Sequence, residues 1–357
     1  MMAPVDLRAY GVTDVLMQQA CEAFGVEDPV VGRVLSQAHE LYRVVGAEGE
    51  LFAEAAGRLR HAARSAADFP AVGDFVLMDR TDDAGGRAVI GQVLPRASAF
   101  VRKAAGAALE QQVVAANIDT AFLCMSLAGD FNLRRLERYL TLAWESGAVP
   151  VAVLMKADAC DNLERRLCAV QSVALGVDVL AVSSVDEGGC KAVRPYVRPG
   201  KTVALLGSSG VGKSTLVNRL LGEDVLETRD VRADGRGRHA TTRRQLVLLP
   251  GGGLVMDTPG MRELGIGDAA EGLERGFADV ERLFASCRFS NCTHTSEPGC
   301  AVYAAIADGE LSERRWQAYR KLKAEAAFAE DKAGYLAKKE RTYKEISKAV
   351  KRLPKKR

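Results

Sequence analysis

The segment Gly207-Ser208-Ser209-Gly210-Val211-Gly212-Lys213-Ser214-Thr215 constrains this chain more than any other stretch. Before it lies a short apolar, β-branched run (201–206) suited to a buried parallel strand, and behind it residues 215–221 have helical spacing. Strand, glycine loop and helix in that order form the setting in which such a loop binds phosphate. Its glycines let successive backbone N–H groups turn inward on a polyphosphate at a helix N-terminus, where unpaired amides and the dipole both favour anions. In this reading Lys213 reaches the β- and γ-phosphates and the Ser214 hydroxyl binds Mg²⁺.

Around the loop the pattern alternates. Runs 118–124, 149–154, 177–182, 202–206, 245–249 and 254–256 are strand-like, with amphipathic helices at 132–145 and 162–174. This is the texture of a mostly parallel sheet covered by helices on both faces. Ligands on such sheets sit at the C-terminal ends of the strands, and the remaining motifs fall there. Asp257-Thr258-Pro259-Gly260 follows one strand: Asp257 is placed to hold Mg²⁺ through water and the Gly260 N–H to bind a γ-phosphate. Between it and the phosphate loop runs a glycine- and arginine-rich segment, 234–243, without apolar periodicity. Thr241 or Thr242 within it would close on Mg²⁺ when γ-phosphate is present; spacing does not choose between them, and Thr242 is slightly favoured.

Base selection lies upstream. Met155-Lys156-Ala157-Asp158 resembles the N-K-x-D motif of GTPases, in which the aspartate accepts hydrogen bonds from guanine N1 and N2 and the lysine lies along the base. Asp158 would then reject adenine, and Ser183-Ser184, after the next strand, would present backbone to guanine O6. Lys156 and Asp158 as a solvated surface pair are the bland alternative. The motifs run base, base, phosphate loop, switch, D-x-x-G, whereas most GTPases begin with the phosphate loop. The order is that of a circularly permuted GTPase domain. Its second switch leads straight into the C-terminal domain.

With 357 residues the chain has room for two or three domains. The first 36 residues, including 30–35, read as one or two short helices without a chemical motif. From there, runs at 41–45, 51–55, 72–78, 88–94 and 99–102 are separated by turn signals and predict a five-stranded, OB-like barrel. Arg58, Arg60, Arg64, Arg96, Arg102 and Lys103 cluster at its expected ends. They suit a groove for single-stranded RNA with aromatic platforms, or else a solvated basic face with Tyr42, Phe52 and Phe75 in the core.

No apolar h-region follows a basic start, and no apolar run approaches the length of a membrane span, so a cytoplasmic protein without a membrane partner is expected. Thiols stay reduced in that compartment, which makes a tight cysteine group a metal site rather than disulfides. Cys287-x4-Cys292-x-His294-x5-Cys300 is such a group: three thiolates and an imidazole, the ligand set of a closed structural Zn²⁺ site. Cys21, Cys124, Cys160, Cys168 and Cys190 are scattered, as expected of small buried side chains. Residues 312–330 and 335–350 have helical composition, and the lysine- and arginine-rich end is a phosphate-backbone contact or a solubilising tail. No heptad repeat suggests a dimer, so a monomer is expected.

Taken together, the chain from about residue 39 resembles the RsgA family of circularly permuted GTPases. The resemblance rests on Pro70-Ala-Val-Gly-Asp74, Leu94-Pro-Arg96, Ala115-Ala-Asn-Ile-Asp119, Glu137-Arg-Tyr-Leu140, the phosphate loop, Gly235-Arg-Gly-Arg-His239, Asp257-Thr-Pro-Gly-Met-Arg-Glu-Leu264 and the cysteine cluster. It implies an OB domain, a GTPase and a zinc domain, late assembly of the small ribosomal subunit, binding to the 30S subunit and its 16S rRNA, and subunit-stimulated conversion of GTP to GDP. The expected domains are a helical extension (1–36), an RNA-binding barrel (37–115), the permuted GTPase (116–275) and a zinc-binding helical domain with basic tail (276–357). Met155 departs from the family's asparagine or threonine, removing a polar contact to the base or the loop. Met261 stands where Ras-like enzymes carry the water-orienting glutamine, so His239 is the candidate to orient or deprotonate the attacking water; contact with RNA is its other reading. The rival to the enzyme is an RNA-binding scaffold indifferent to GTP.

Overall fold

In the computed structural model, residues 4–82, 85–103, 111–129, 131–183, 189–222, 245–257, 270–295 and 297–330 are described. His239, Thr241, Thr242, Ser184, Gly260, Met261 and the basic end lie outside them. The chain divides into two compact units, Met1–Leu264 and Gly265–Arg357.

The first unit opens with helix α1 (Asp14–Phe24), capped by Thr13. Strands β1 (Val31–Ala38), β2 (Leu41–Gly46) and β3 (Gly49–Ala55) follow, then a short helix α2 (Gly57–Ala62) and strands β4 (Phe75–Met78) and β5 (Ala88–Val93). Pairing runs β1-β2-β3-β5-β4 and returns from β4 to β1, which closes a five-stranded, OB-like barrel. Val34, Tyr42, Val44, Leu51, Val76 and Ile90 fill it.

Two expectations are corrected here. Residues 30–35 are not helical: β1 begins at Val31 and supplies the fifth barrel strand. Its Val34 faces the barrel core while Val31 packs with Val12, Ala20, Phe75 and Leu94 in a second core beneath α1. A strand buried on both faces loses the polar alternation that marks a half-buried one, so its apolar residues imitate helical spacing. The run at 99–102 is not a barrel strand either. It forms β6 (Ala99–Lys103), which pairs with β7 (Gln111–Ala116) in a separate hairpin.

The second half of this unit is a sheet of β8 (Thr120–Ser126), β9 (Val149–Met155), β10 (Asp178–Val182), β11 (Thr202–Gly207), β12 (Gln245–Leu248) and β13 (Leu254–Asp257). The order is β10-β9-β8-β11-β13-β12, parallel except for the β12–β13 pair. Helices α3 (Leu133–Ser146), α4 (Leu163–Gln171) and α5 (Lys213–Leu221) link its strands. The barrel continues this sheet, because Ser36 of β1 bridges Gln245 of β12.

Arg33 secures the junction. Its fully buried guanidinium donates to the carbonyls of Tyr10 (2.6 Å), Gly73 (3.3 Å) and Asn117 (3.0 Å), tying the N-terminal segment, the barrel and the entry to β8. Burial lowers its pKa to about 10, against the pull of Asp119 and Asp74. Beside it Arg96, expected among the surface cations, turns inward and pairs with the fully buried Asp74 at 2.7 Å. It also donates to the carbonyls of Ala67 and Phe69. Tyr42 and Phe75 are core residues, whereas Phe52 is 50% exposed.

The second unit holds α6 (Ala270–Gly276), α7 (Ala278–Phe284), α8 (Ala301–Ala307) and α9 (Glu313–Glu330). Its core is aromatic: Phe277, Phe284, Trp316 and Tyr319 stack and meet edge to face. Buried Arg315 grips Asp279 through two hydrogen bonds and lies over the Phe277 ring. Among the described residues no helix is long and apolar enough to cross a membrane.

Candidate functional site

β11 delivers the phosphate loop. Gly207 is its last residue, and a Cβ there would lie 2.4 Å from the Cys124 carbonyl of β8, so only glycine lets the strands approach. Gly210 (φ +77°) and Gly212 (φ +109°) take left-handed conformations that let the chain turn back into α5. Val211 between them is buried in the sheet core and pins the loop from below. The N-cap position of α5 is Gly212, which has no side chain to cap the helix.

Lys213 donates from Nζ to the carbonyls of Gly207 (2.8 Å) and Ser208 (2.7 Å). Ser209, Gly210 and Thr215 are exposed, and Ser208 and Ser214 are half-buried. Cys124 sits under the loop, where burial pushes its thiol up to about 12 against the opposing charge of Lys213.

Strand register gathers the other motifs at the same edge. Met155 ends β9 opposite Val182 of β10 and Ser126 of β8, and Cys124 of β8 is opposite Gly207. The segments beginning at Lys156 and Ser183 therefore leave adjacent strands on one side of β8, and the phosphate loop leaves β11 on the other. Lys156 has a left-handed backbone (φ +60°) that starts a tight turn over Ala157–Ala159, leaving Asp158 exposed; Ser183 is buried. Asp257 ends β13, which pairs with β11.

Met155 is fully buried, and its methyl would sit 3.2 Å from a Cβ on Gly212. Its side chain thus props the phosphate loop from the sheet core. One residue near the loop belongs to no motif: Arg135 of α3 donates from Nη1 to the Ser208 Oγ at 2.6 Å. A lone arginine in a helix has no spacing signature; only the cap residue Asn132 marks it as lying in a first turn.

In the second unit Cys287, Cys292, His294 and Cys300 place their ligand atoms within 4.8 Å of one another. His294 Nδ1 is 3.5 Å from the Cys287 Sγ and 3.6 Å from the Cys300 Sγ. A tetrahedral Zn²⁺ with ordinary bond lengths has sulfur-to-nitrogen edges of about 3.6 Å, so these two spacings are compatible with that ion, with Nδ1 as the nitrogen turned toward the thiols. The ring stacks on Phe284, and burial lowers the imidazole pKa, which favours the neutral form that binds metal. Glu297 holds the intervening turn by accepting from the backbone N–H groups of Thr293 and Thr295, and Ala301 N–H donates to the Cys287 sulfur. Of the other cysteines, Cys124 and Cys190 are buried as expected, but Cys21 and Cys160 are half-exposed and Cys168 is exposed on α4, where no packing demands it.

A family model described as RsgA GTPase matches residues 93–267. A protein of Lactiplantibacillus plantarum named small ribosomal subunit biogenesis GTPase RsgA 2 is 46% identical over 327 residues, 91% of this chain and 90% of that protein. Small ribosomal subunit biogenesis GTPase RsgA of Methanosarcina acetivorans is 44% identical over 79% of this chain and 77% of its own length. Among solved structures, YjeQ from Thermotoga maritima superposes with a TM-score of 0.61 at 26% identity, over 82% of this chain and 96% of that one. YloQ, described as a circularly permuted GTPase, gives a TM-score of 0.60 at 24% identity over 86% and 96%, a likeness of fold.

Proposed function

This chain belongs to the RsgA GTPase family, and on that premise we propose that it hydrolyses GTP to GDP and phosphate in a cycle stimulated by the 30S ribosomal subunit, late in the assembly of that subunit. The observation that supports the proposal is that the phosphate loop, Lys156–Asp158 and Ser183 all leave one edge of the sheet, the loop from β11 and the other two from β9 and β10 across β8. The relatives' names supply the subunit; the 16S rRNA, a monomeric state and the cytoplasm complete the reading.

Each residue has a role. The amides of Ser208, Ser209, Gly210, Val211, Gly212 and Lys213 wrap the phosphates, and Lys213 turns its ammonium from the loop carbonyls toward the β- and γ-oxygens. Thr215, in the first turn of α5, lies against the α-phosphate side. Ser214 and Thr242, with Asp257 through water, would hold Mg²⁺, which would supply positive charge against the phosphates. Thr241 is the alternative in that loop, and the Gly260 N–H binds the γ-phosphate. Asp158 selects guanine, with Lys156 along the base and Ser183-Ser184 at O6. His239 orients the attacking water in the subunit-bound state. Cys287, Cys292, His294 and Cys300 would hold a structural Zn²⁺, since four protein donors leave no open position for catalysis.

The test is GTP hydrolysis by purified protein with and without 30S subunits, using ATP and 50S subunits as controls. Stimulation by 30S alone and preference for GTP are expected. Unstimulated turnover with GTP-independent 30S binding would replace the enzyme by a scaffold. Full stimulated activity in His239→Ala would remove His239 from the mechanism.

A further inference from the structure

The phosphate loop is gripped by a side chain outside its own strand and helix. Arg135 lies in the first turn of α3, where Asn132 accepts a hydrogen bond from its backbone N–H at 3.2 Å. Helical side chains slant toward the N-terminus, and α3 starts at the same edge of the sheet as the phosphate loop, because β8 before it is the neighbour of β11. The guanidinium therefore meets Ser208, bonding its Oγ at 2.6 Å in a half-buried, charge-assisted contact. Ser208 is thus held at two points, its hydroxyl by Arg135 and its carbonyl by Lys213 at 2.7 Å. A polyphosphate competes for the Lys213 ammonium, which donates to the carbonyls of Gly207 and Ser208. The hydroxyl contact does not involve that ammonium.

We propose that Arg135 is a positioning residue for nucleotide binding: through the Ser208 hydroxyl it keeps the phosphate loop open to the phosphates of GTP and GDP, and it adds a fixed positive charge beside that of Lys213. The proposal rests on the GTP reading given above. It assigns a role to the start of α3 that the phosphate-loop pattern does not contain. It also predicts that Arg135 acts on affinity rather than on the chemical step, because its contact is to the loop and not to the reacting atoms.

A double-mutant cycle on the full chain tests it, reading titrations with fluorescent GDP and GTP analogues, GTP turnover and thermal melting. Arg135→Ala and Ser208→Ala are each expected to weaken both nucleotides roughly tenfold, with kcat changed by less than about threefold. The combined variant is expected to be no weaker than the poorer single one, because both residues act through one bond. Arg135→Lys, which keeps the charge, is expected to recover most of the loss. Ser208→Ala removes a single oxygen, so the cycle keeps one variant that folds even if Arg135→Ala melts early. Wild-type affinity in Ser208→Ala, or losses that add in the combined variant, would overturn the proposal while leaving the GTP reading intact. Absence of guanine nucleotide binding by the unmutated protein would overturn both.

Discussion

Met155 shows how a single side chain redistributes duties at the nucleotide edge. The N-K-x-D pattern places this position against the base or the phosphate loop, and Met155 is fully buried beside Gly212 of the loop. Met155→Leu keeps volume and should cost less than about 1.5 kcal/mol in denaturant unfolding. Met155→Asn should cost about 1–3 kcal/mol, the penalty of placing an amide among Val153, Val182 and Val211. Equal stability of the two variants would show that the pocket already offers polar partners. Arg96 carries a larger load, since its removal strands Asp74. Arg96→Met should destabilise by about 3–5 kcal/mol near neutral pH. Burial already pushes the Asp74 carboxyl up, chiefly against its bonds to Arg96. Without Arg96 the folded-state pKa rises further above the unfolded one, so stability is greatest below the unfolded pKa and is lost as pH rises. Urea unfolding should therefore find the deficit narrowing from about pH 7 toward about pH 5; an unchanged deficit would mean that Asp74 finds another donor. The phosphate loop and the cysteine cluster were legible because chemistry fixes both residue type and spacing. Arg135 and Arg96 were not, because an arginine's partner is set by which strands become neighbours.

At the scale of elements, the existence of strands was easier to read than their partners. The runs at 41–45 and 51–55 became β2 and β3. The run at 99–102 is equally strand-like but left the barrel for a hairpin with β7, and nothing local distinguishes the two fates. β1 was misread because both of its faces are covered. That double burial sets a steric limit at Gly32, where a Cβ would lie 2.6 Å from the Met78 Cε and 2.6 Å from the Val44 Cγ1. Gly32→Ala should cost about 1–3 kcal/mol by overpacking, seen as a lower thermal midpoint. Pairing it with Met78→Ala should recover part of the loss; strictly additive losses would place the strain elsewhere.

At the scale of the whole molecule, the motif order foretold the permuted sheet, and the cysteine spacing foretold a separate cluster. Each compact unit has its own core, so their stabilities should separate. Chelation, or Cys300→Ser, should unfold the second unit, measured as loss of near-ultraviolet dichroism from Trp316 and new protease sites within 270–330, while guanine nucleotide still binds the first. Loss of nucleotide binding together with that signal would show that the units fold as one. The meeting of barrel and sheet has another consequence. β12 meets a barrel strand at the Ser36–Gln245 bridge, which leaves β10 as the one flank of the nucleotide sheet that, among the described residues, borders a single strand. Two copies joining edge to edge through that flank would meet β10 to β10. Such a pair is isologous, each copy presenting the same strand to the other along a two-fold axis.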